Sequence, residues 1–145
     1  MIREALYKYL NTITAITSEL TTYQFTADTN SPAIFAGDAV PKDHKNSCIF
    51  IGKPLGGEDF STKAYKGLTI YLDVNLFSDK VRSQKGFDDL AITLWKNLHR
   101  ADLSSHLPSG WDSWKLTADA PQSFADEDSF PAYRISVKCT VLNNE

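Results

Sequence analysis

The chain has 145 residues, 42% of them hydrophobic, and a formal net charge of −3. A chain of this size and apolar content is most economically one domain with a real core. Its slight acidity, with no local run of Lys and Arg, argues against a protein held to nucleic acid by charge.

The chain opens on MIREALYKYLNTI. This stretch lacks the long apolar centre and small-residue cleavage site of a signal peptide. Ile2, Leu6, Tyr9, Leu10 and Ile13 recur at three- and four-residue steps, which predicts a helix over about 2–13. Thr12 and Thr14 weaken its end, and residues 15–20 could add a short turn. Residues 21–31 are polar and weakly periodic, and Asn30, Ser31 and Pro32 mark a turn or an extended approach to the next element. A short strand is expected near Ala33–Phe35, interrupted by Gly37, Asp38 and Pro41. SCIFIG predicts a buried strand.

KPLGGEDFSTKA is too long for a tight hairpin turn and reads as a protruding or locally disordered loop. Gly56 and Gly57 alone do not make a phosphate loop, because the longer glycine pattern with Lys and Ser/Thr is absent. YKGLTIYLDVNLF then alternates cleanly. Leu68, Ile70, Leu72, Val74 and Leu76 share one face; Tyr65, Thr69, Tyr71, Asp73, Asn75 and Phe77 share the other. In SQKGFDDLAITLWKNLH the period becomes helical, with Phe87, Leu90, Ala91, Leu94 and Leu98 on one stripe. Asp79 or Ser83 could cap this helix, and Gly86 suggests a later start.

After a connector punctuated by Pro108 and Gly110, WDSWKLTA resumes a strand, with Trp114, Leu116 and Ala118 in one parity. Pro121 and the acidic stretch 125–128 end it. AYRISVKCTVL is the second clean alternator. Tyr133, Ile135, Val137, Cys139 and Val141 face one way; Arg134, Ser136, Lys138 and Thr140 face the other. The order predicts an α/β chain of α+β type: an antiparallel or mixed sheet of four or five strands, with two main helices on one face.

Constellations that carry chemistry are missing from this reading. His44, His99 and His106 share no motif-like spacing with other ligands. His99 ends a helix, where a positive imidazole is favoured. Ser104 and Ser105 precede His106 without a nucleophile-elbow pattern. Asp126, Glu127 and Asp128 read as a solvated turn rather than a calcium loop. Cys48 and Cys139 lack ligand spacing and read as reduced, buried side chains of an intracellular protein; whether they face each other across strands stays open. The expectation is a non-enzyme. Tyr65, Tyr71, Phe77, Trp95, Trp111 and Trp114 suit either core packing or a protein interface, and free sheet edges offer a second route to assembly.

MIREALYKYL, TIYLDVNLFSD, FDDLAITLWKNL and FPAYRISVKCTVL, in that order, make the chain similar to the tail terminator, or tail completion, proteins of long-tailed bacteriophages and prophages. The likeness covers most of the chain and rests on hydrophobic pattern, length and element order. It implies a small α/β virion protein, assembled in the host bacterial cytoplasm, that forms a ring, commonly a hexamer, at the head-proximal end of the tail tube. Such a ring stops tube polymerisation and docks the head-side connector. DNA passes through its lumen without sequence-specific binding, and no cofactor is implied. The family lends no catalytic motif, so elements rather than residues are mapped.

On that mapping the stretch 53–64 is the first expected contact with the tube or a neighbouring subunit, through Gly56, Gly57, Glu58, Asp59 and Phe60. Tyr71 and Trp111 are further interface candidates. So are Asp126 and Glu127 of the acidic turn, and Arg134 and Lys138 on the polar face of the last strand. The alternatives are another head–tail connector or neck protein, a monomeric intracellular protein-binding module and, more remotely, a small hydrolase.

Overall fold

The computed structural model describes residues 1–37, 40–41, 47–78, 84–125 and 131–144. Three helices and nine strands follow one another along these residues: α1 (Ile2–Leu10), α2 (Thr14–Thr17), β1 (Thr22–Thr26), β2 (Thr29–Pro32), β3 (Ile34–Phe35), β4 (Cys48–Ile51), β5 (Gly56–Asp59), β6 (Lys66–Phe77), α3 (Gln84–Leu98), β7 (Trp111–Ala118), β8 (Gln122–Ala125) and β9 (Pro131–Asn143). A 3-10 turn at Ser104–His106 lies between α3 and β7. The fold is of the expected α+β kind. The main sheet is larger than expected, with seven strands rather than four or five, and β1 and β2 form a separate hairpin.

Two long strands make the spine. β6 and β9 pair antiparallel from Lys66↔Asn143 to Phe77↔Ala132. Each carries two short strands end to end on its outer side. β6 holds β4 against Val74–Phe77 and β5 against Leu68–Tyr71. β9 holds β8 against Pro131–Arg134 and β7 against Val137–Asn143. β3 extends the sheet beyond β4 in a parallel pairing.

The two-residue period of the spine sorts its side chains onto two faces. Leu72, Val74 and Leu76 of β6 join Ile135, Val137, Cys139 and Val141 of β9 in the main core. The same core takes Ile2, Ala5, Leu6 and Leu10 from α1 and Phe87, Leu90, Ala91, Leu94 and Leu98 from α3. Both main helices therefore cover one face of the sheet. The expected run is too long at its start: Leu68 is 41% exposed, and Ile70 is only partly buried against the core.

Several boundaries differ from the sequence reading for local reasons. α1 stops at Leu10 instead of continuing to Ile13. The Asn11 amide donates to the Tyr7 carbonyl and the Thr12 hydroxyl to the Tyr9 carbonyl, so side chains take acceptors at the helix end. Ile13 is extended, and α2 restarts after it. α3 begins at Gln84 and runs through Gly86, which sits in its first turn. Residues 22–32, read as irregular, pair as β1 and β2 around Ala27 and Asp28. The stretch 53–64, read as a loop, contains β5, paired to β6. Residues 122–125, read as the end of a strand, form β8.

The helix-free face is not uniform. At the β3–β4 end, Ala33, Phe35 and Cys48 are buried in a second, smaller cluster with Tyr23, Phe50 and Phe77 packed against it. Tyr23 of β1 meets Phe35 edge-on and Phe25 meets it at a tilt, with ring centroids 5.0 and 5.7 Å away, so the hairpin roofs this end. Cys48 and Cys139 thus lie in separate clusters on opposite faces, both buried and unbridged.

Candidate interface on the open face of the sheet

Between the hairpin and the far end of β6, the helix-free face presents its side chains directly. Cross-strand register puts Tyr71 opposite Lys138, Asp73 opposite Ser136 and Asn75 opposite Arg134. Such pairs are close enough to interact on one face. The Ser136 hydroxyl donates to Asp73 Oδ1 at 2.9 Å. Arg134 Nε lies 3.8 Å from Asp73 Oδ2, with its side chain 47% exposed, a distance and exposure at which an ion pair adds little stability. Lys138 sits over the Tyr71 ring, 5.6 Å from its centroid. The Tyr71 hydroxyl donates to Glu58 Oε1 at 3.0 Å, tying β5 to the same network. Arg134 also covers the Phe124 ring of β8 at 4.8 Å, and Phe124 meets Phe77 edge-on at 6.0 Å.

The result is a shallow strip of both charges set among aromatic rings. It crosses β5, β6, β9 and β8. Aromatic and Arg side chains of this kind are enriched where proteins meet, and the paired strands beneath them hold their spacing. The mixed charge suits a protein surface better than a phosphate backbone, which calls for basic clusters.

A second aromatic contact closes the far end of the face. Phe60, just past β5, stacks on Trp114 of β7 with centroids 4.9 Å apart and planes inclined by 28°. Phe60 also donates its backbone N–H to the Gly67 carbonyl. Gly67 leaves room for this crossing: a Cβ there would meet the Phe60 carbonyl oxygen at 3.0 Å and Leu142 Cδ2 at 2.9 Å. At the same end Thr69 and Thr140 are buried and share a 2.9 Å hydrogen bond. Trp114 takes part because the pairing of β7 with β9 slips between Ser113 and Lys115. That bulge turns Trp114 out of the parity of Leu116 and Ala118 and leaves it 55% exposed.

The sheet edges differ sharply. The outer side of β7 is bonded along its length by the chain that precedes it. Ser104 Oγ accepts from the Ser113 N–H, and the Arg100 N–H donates to the Leu116 carbonyl. The Ala118 N–H donates to His99 Nδ1 and the Ala118 carbonyl accepts from Trp95 Nε1, at 3.0 and 2.8 Å. β5, by contrast, pairs with β6 and has no further strand beside it among the described residues. Its four residues are all exposed. Asp59 accepts hydrogen bonds from the Ser61 hydroxyl and N–H, which hold its carboxyl below the usual aspartate value. At the β3 edge a cavity of about 500 Å³ opens between α1 and the hairpin, lined by Arg3, Tyr7, Phe25 and Phe35 among others.

The structure therefore brings Glu58, Tyr71, Arg134 and Lys138 onto one face, with Gly56, Gly57 and Asp59 beside them in β5 and Phe60 at its end. Trp111 goes elsewhere: it is half-buried and packs against the helix-side core. Asp126, Glu127 and Asp128 lie outside the described residues, as do His44, Asp79 and Ser83. Asp73, Ser136 and Phe124 belong to the strip and were not singled out from sequence. The signal for Asp73 and Ser136 was available in the strict alternation of β6 and β9, which puts both on the polar face. His106 sits edge-on to Tyr9 with centroids 6.2 Å apart.

No family model matches this chain, and no curated protein matches it by sequence. Its fold does match a solved one. A chain of the virion of a native gene transfer agent particle superposes with a TM-score of 0.71, over 98% of this chain and 95% of that one, at 15% sequence identity.

Proposed function

We propose that this chain is a structural component of a phage-like virion, and within it the tail terminator. The observation that carries the reading is the end-to-end match to a virion chain, which uses 98% of this chain and 95% of that one. Copies associate head-to-tail into a closed ring, most simply a hexamer, at the head-proximal end of the tail tube. The action is steric, not catalytic. The ring binds the last tube layer, blocks further tube subunits and offers its other surface to the head-side connector, with DNA passing through the lumen. The open strip around Tyr71, Asp73, Arg134 and Lys138 supports the reading as a protein-contacting surface of mixed charge. A head-to-tail interface joins unlike surfaces, so the strip needs no self-complementary charge pattern.

Light scattering coupled to gel filtration, with negative-stain images, tests the ring; addition of purified tail tubes tests end binding. Closed rings that cap one tube end are expected. Particles lacking the protein should carry overlong tails. Normal-length tails that fail to join heads would instead assign it to the neck as a connector, which the same fold match accommodates.

A further inference from the structure

Arg3 stands half-buried on the wall of the cavity at the β3 edge. Its Nη2 donates to the carbonyls of Gly37 and Ile51, the second at 2.9 Å. These two acceptors hold the guanidinium in place and leave its charge without a counter-ion. Among the described residues Arg3 forms no ion pair, and its buried Nε has no acceptor. Glu4, on the same wall, pairs instead with Lys8 at 3.2 Å. A part-buried cation that meets carbonyls alone is under-satisfied, and a carboxylate is the group that offsets this best.

The rest of the cavity is largely apolar. Tyr7, Ile34 and Phe35 line it, together with Met1 and Phe25. Met1 and Phe25 are 41% and 37% exposed, so two large apolar side chains are left to water here. The volume, about 500 Å³, is of ligand-site size, but the cavity is open to solvent. Sites for small molecules bury most of the ligand's surface, which an open cavity does not do. A side chain projecting from a larger partner is different, because the partner's own backbone covers the opening.

We infer that this cavity anchors an acidic segment of another protein of the particle. An aromatic side chain of that segment fills the apolar part, and a neighbouring Asp or Glu meets Arg3. Both of the bonds Arg3 already makes use Nη2, so Nη1 is the group that receives the carboxylate. Apolar fill and one oriented charge together give affinity and register. Tyr71, Asp73, Arg134 and Lys138 do not line this cavity, so the site is a second contact point beside the open strip. The inference rests on the virion reading above only for the partner being a protein of the particle.

Fluorescence anisotropy of labelled peptides tests it. One set of octapeptides carries a Phe and three Asp at every spacing; two control sets replace Asp by Asn or Phe by Ala. At least one member of the first set should bind, and its counterparts in both control sets should bind about tenfold more weakly or worse. Arg3→Gln should cause a similar loss and remove the dependence on salt. Ala36→Trp plugs the cavity from an exposed wall position and leaves both Arg3 bonds intact. It should block binding at an unchanged melting temperature, and it decides alone if Arg3→Gln unfolds. No binding by any peptide, equal binding of a control set, or binding untouched by Ala36→Trp overturns the inference. So does competition by phenylacetate at the peptide's own concentration, which would make this a small-molecule site. Asp38 and Asp43 lie outside the described residues, and double-mutant cycles in melting temperature between Arg3→Gln and Asp38→Asn or Asp43→Asn should show no coupling. Coupling would mean that the chain supplies its own carboxylate, and the site would then need no partner. Tube capping is read separately. Capping without peptide binding removes this site alone, and peptide binding without capping removes the terminator role alone.

Discussion

Tyr71 and Lys138 are direct cross-strand partners in the pairing of β6 with β9, and the Lys138 ammonium lies 5.6 Å from the centre of the Tyr71 ring. The contact faces away from both helices, so either side chain can be removed without opening the main core. A double-mutant cycle over Tyr71→Ala and Lys138→Ala should return a coupling of about 0.5–1 kcal/mol, the range for an exposed cation–π pair. Urea unfolding of the four proteins measures it. A coupling indistinguishable from zero would mean that the two groups do not meet in solution.

Gly67 and Gly56 offer a contrast between two glycines eleven positions apart. Gly67 is buried under Phe60 and Leu142, and a Cβ there comes within 3.0 Å of the Phe60 carbonyl oxygen. Gly67→Ala should therefore cost about 1–3 kcal/mol, as overpacking does elsewhere. It should also disturb the Phe60–Trp114 stack, read as a change in tryptophan fluorescence. Gly56→Ala meets nothing and should be neutral or slightly stabilising, because it restricts the unfolded chain. Equal losses at the two positions would contradict this geometry.

The two alternating strands were legible because their period is strict and their apolar side chains are large. Leu72, Val74 and Leu76, and Ile135 to Val141, could be put on one face by counting, and the helix stripe from Phe87 to Leu98 likewise. What escaped sequence reasoning is held by context. β5 is GGED, with no apolar side chain to alternate, and it becomes a strand because β6 offers it an edge. β1 does alternate, with Tyr23 and Phe25 against Thr22, Gln24 and Thr26, but its aromatic row is too short to outweigh the polar residues around it. Trp114 left the parity of Leu116 and Ala118 because a one-residue bulge intervenes, and no composition signal announces a bulge. In the candidate interface, Tyr71, Arg134 and Lys138 followed from parity. Trp114 and Phe124 needed the tertiary fold.

Leu72 separates folding from assembly. It is buried at the centre of β6 and belongs to the core shared by both helices. Leu72→Asp loses roughly 1.5–3 kcal/mol of apolar burial and adds the cost of placing a carboxylate among hydrocarbon side chains. The expected outcome is loss of cooperative thermal unfolding. Arg134→Ala, on the opposite face, should keep a near-normal transition and alter association instead. A Leu72→Asp protein with unchanged melting temperature would reverse the face assignment.

His99, at the end of α3, serves as a backbone acceptor: its Nδ1 takes the Ala118 N–H at 3.0 Å. The ring also stacks on Trp95 at 5.3 Å with planes inclined by 14°. His99→Phe keeps a flat ring for the stack and leaves the buried Ala118 N–H without its acceptor. The loss should be about 1–3 kcal/mol, the cost of an unsatisfied buried donor. Hydrogen exchange at the Ala118 amide is the direct measurement: protection should fall in the variant well beyond the change in global stability.

Cys139 lies fully within the main core, and burial pushes its thiol up from 9.0 to about 12. Its neutral form is the one the fold prefers. Above pH 9 the unfolded chain loses this proton while the native chain keeps it, so stability falls as pH rises from about 9 toward 12 and is unaffected below that window. Cys139→Ala should remove this part of the alkaline slope, at the cost of a small cavity. Because the thiolate is the reactive species, thiol reagents at neutral pH should modify neither Cys139 nor the buried Cys48 in the native protein, and both after addition of denaturant. Rapid native labelling of one cysteine would identify the face that opens first. Labelling at Cys48 would mean that the β1–β2 hairpin lifts from Phe35 while the helix layer stays closed, and labelling at Cys139 would mean that the helices part from the sheet.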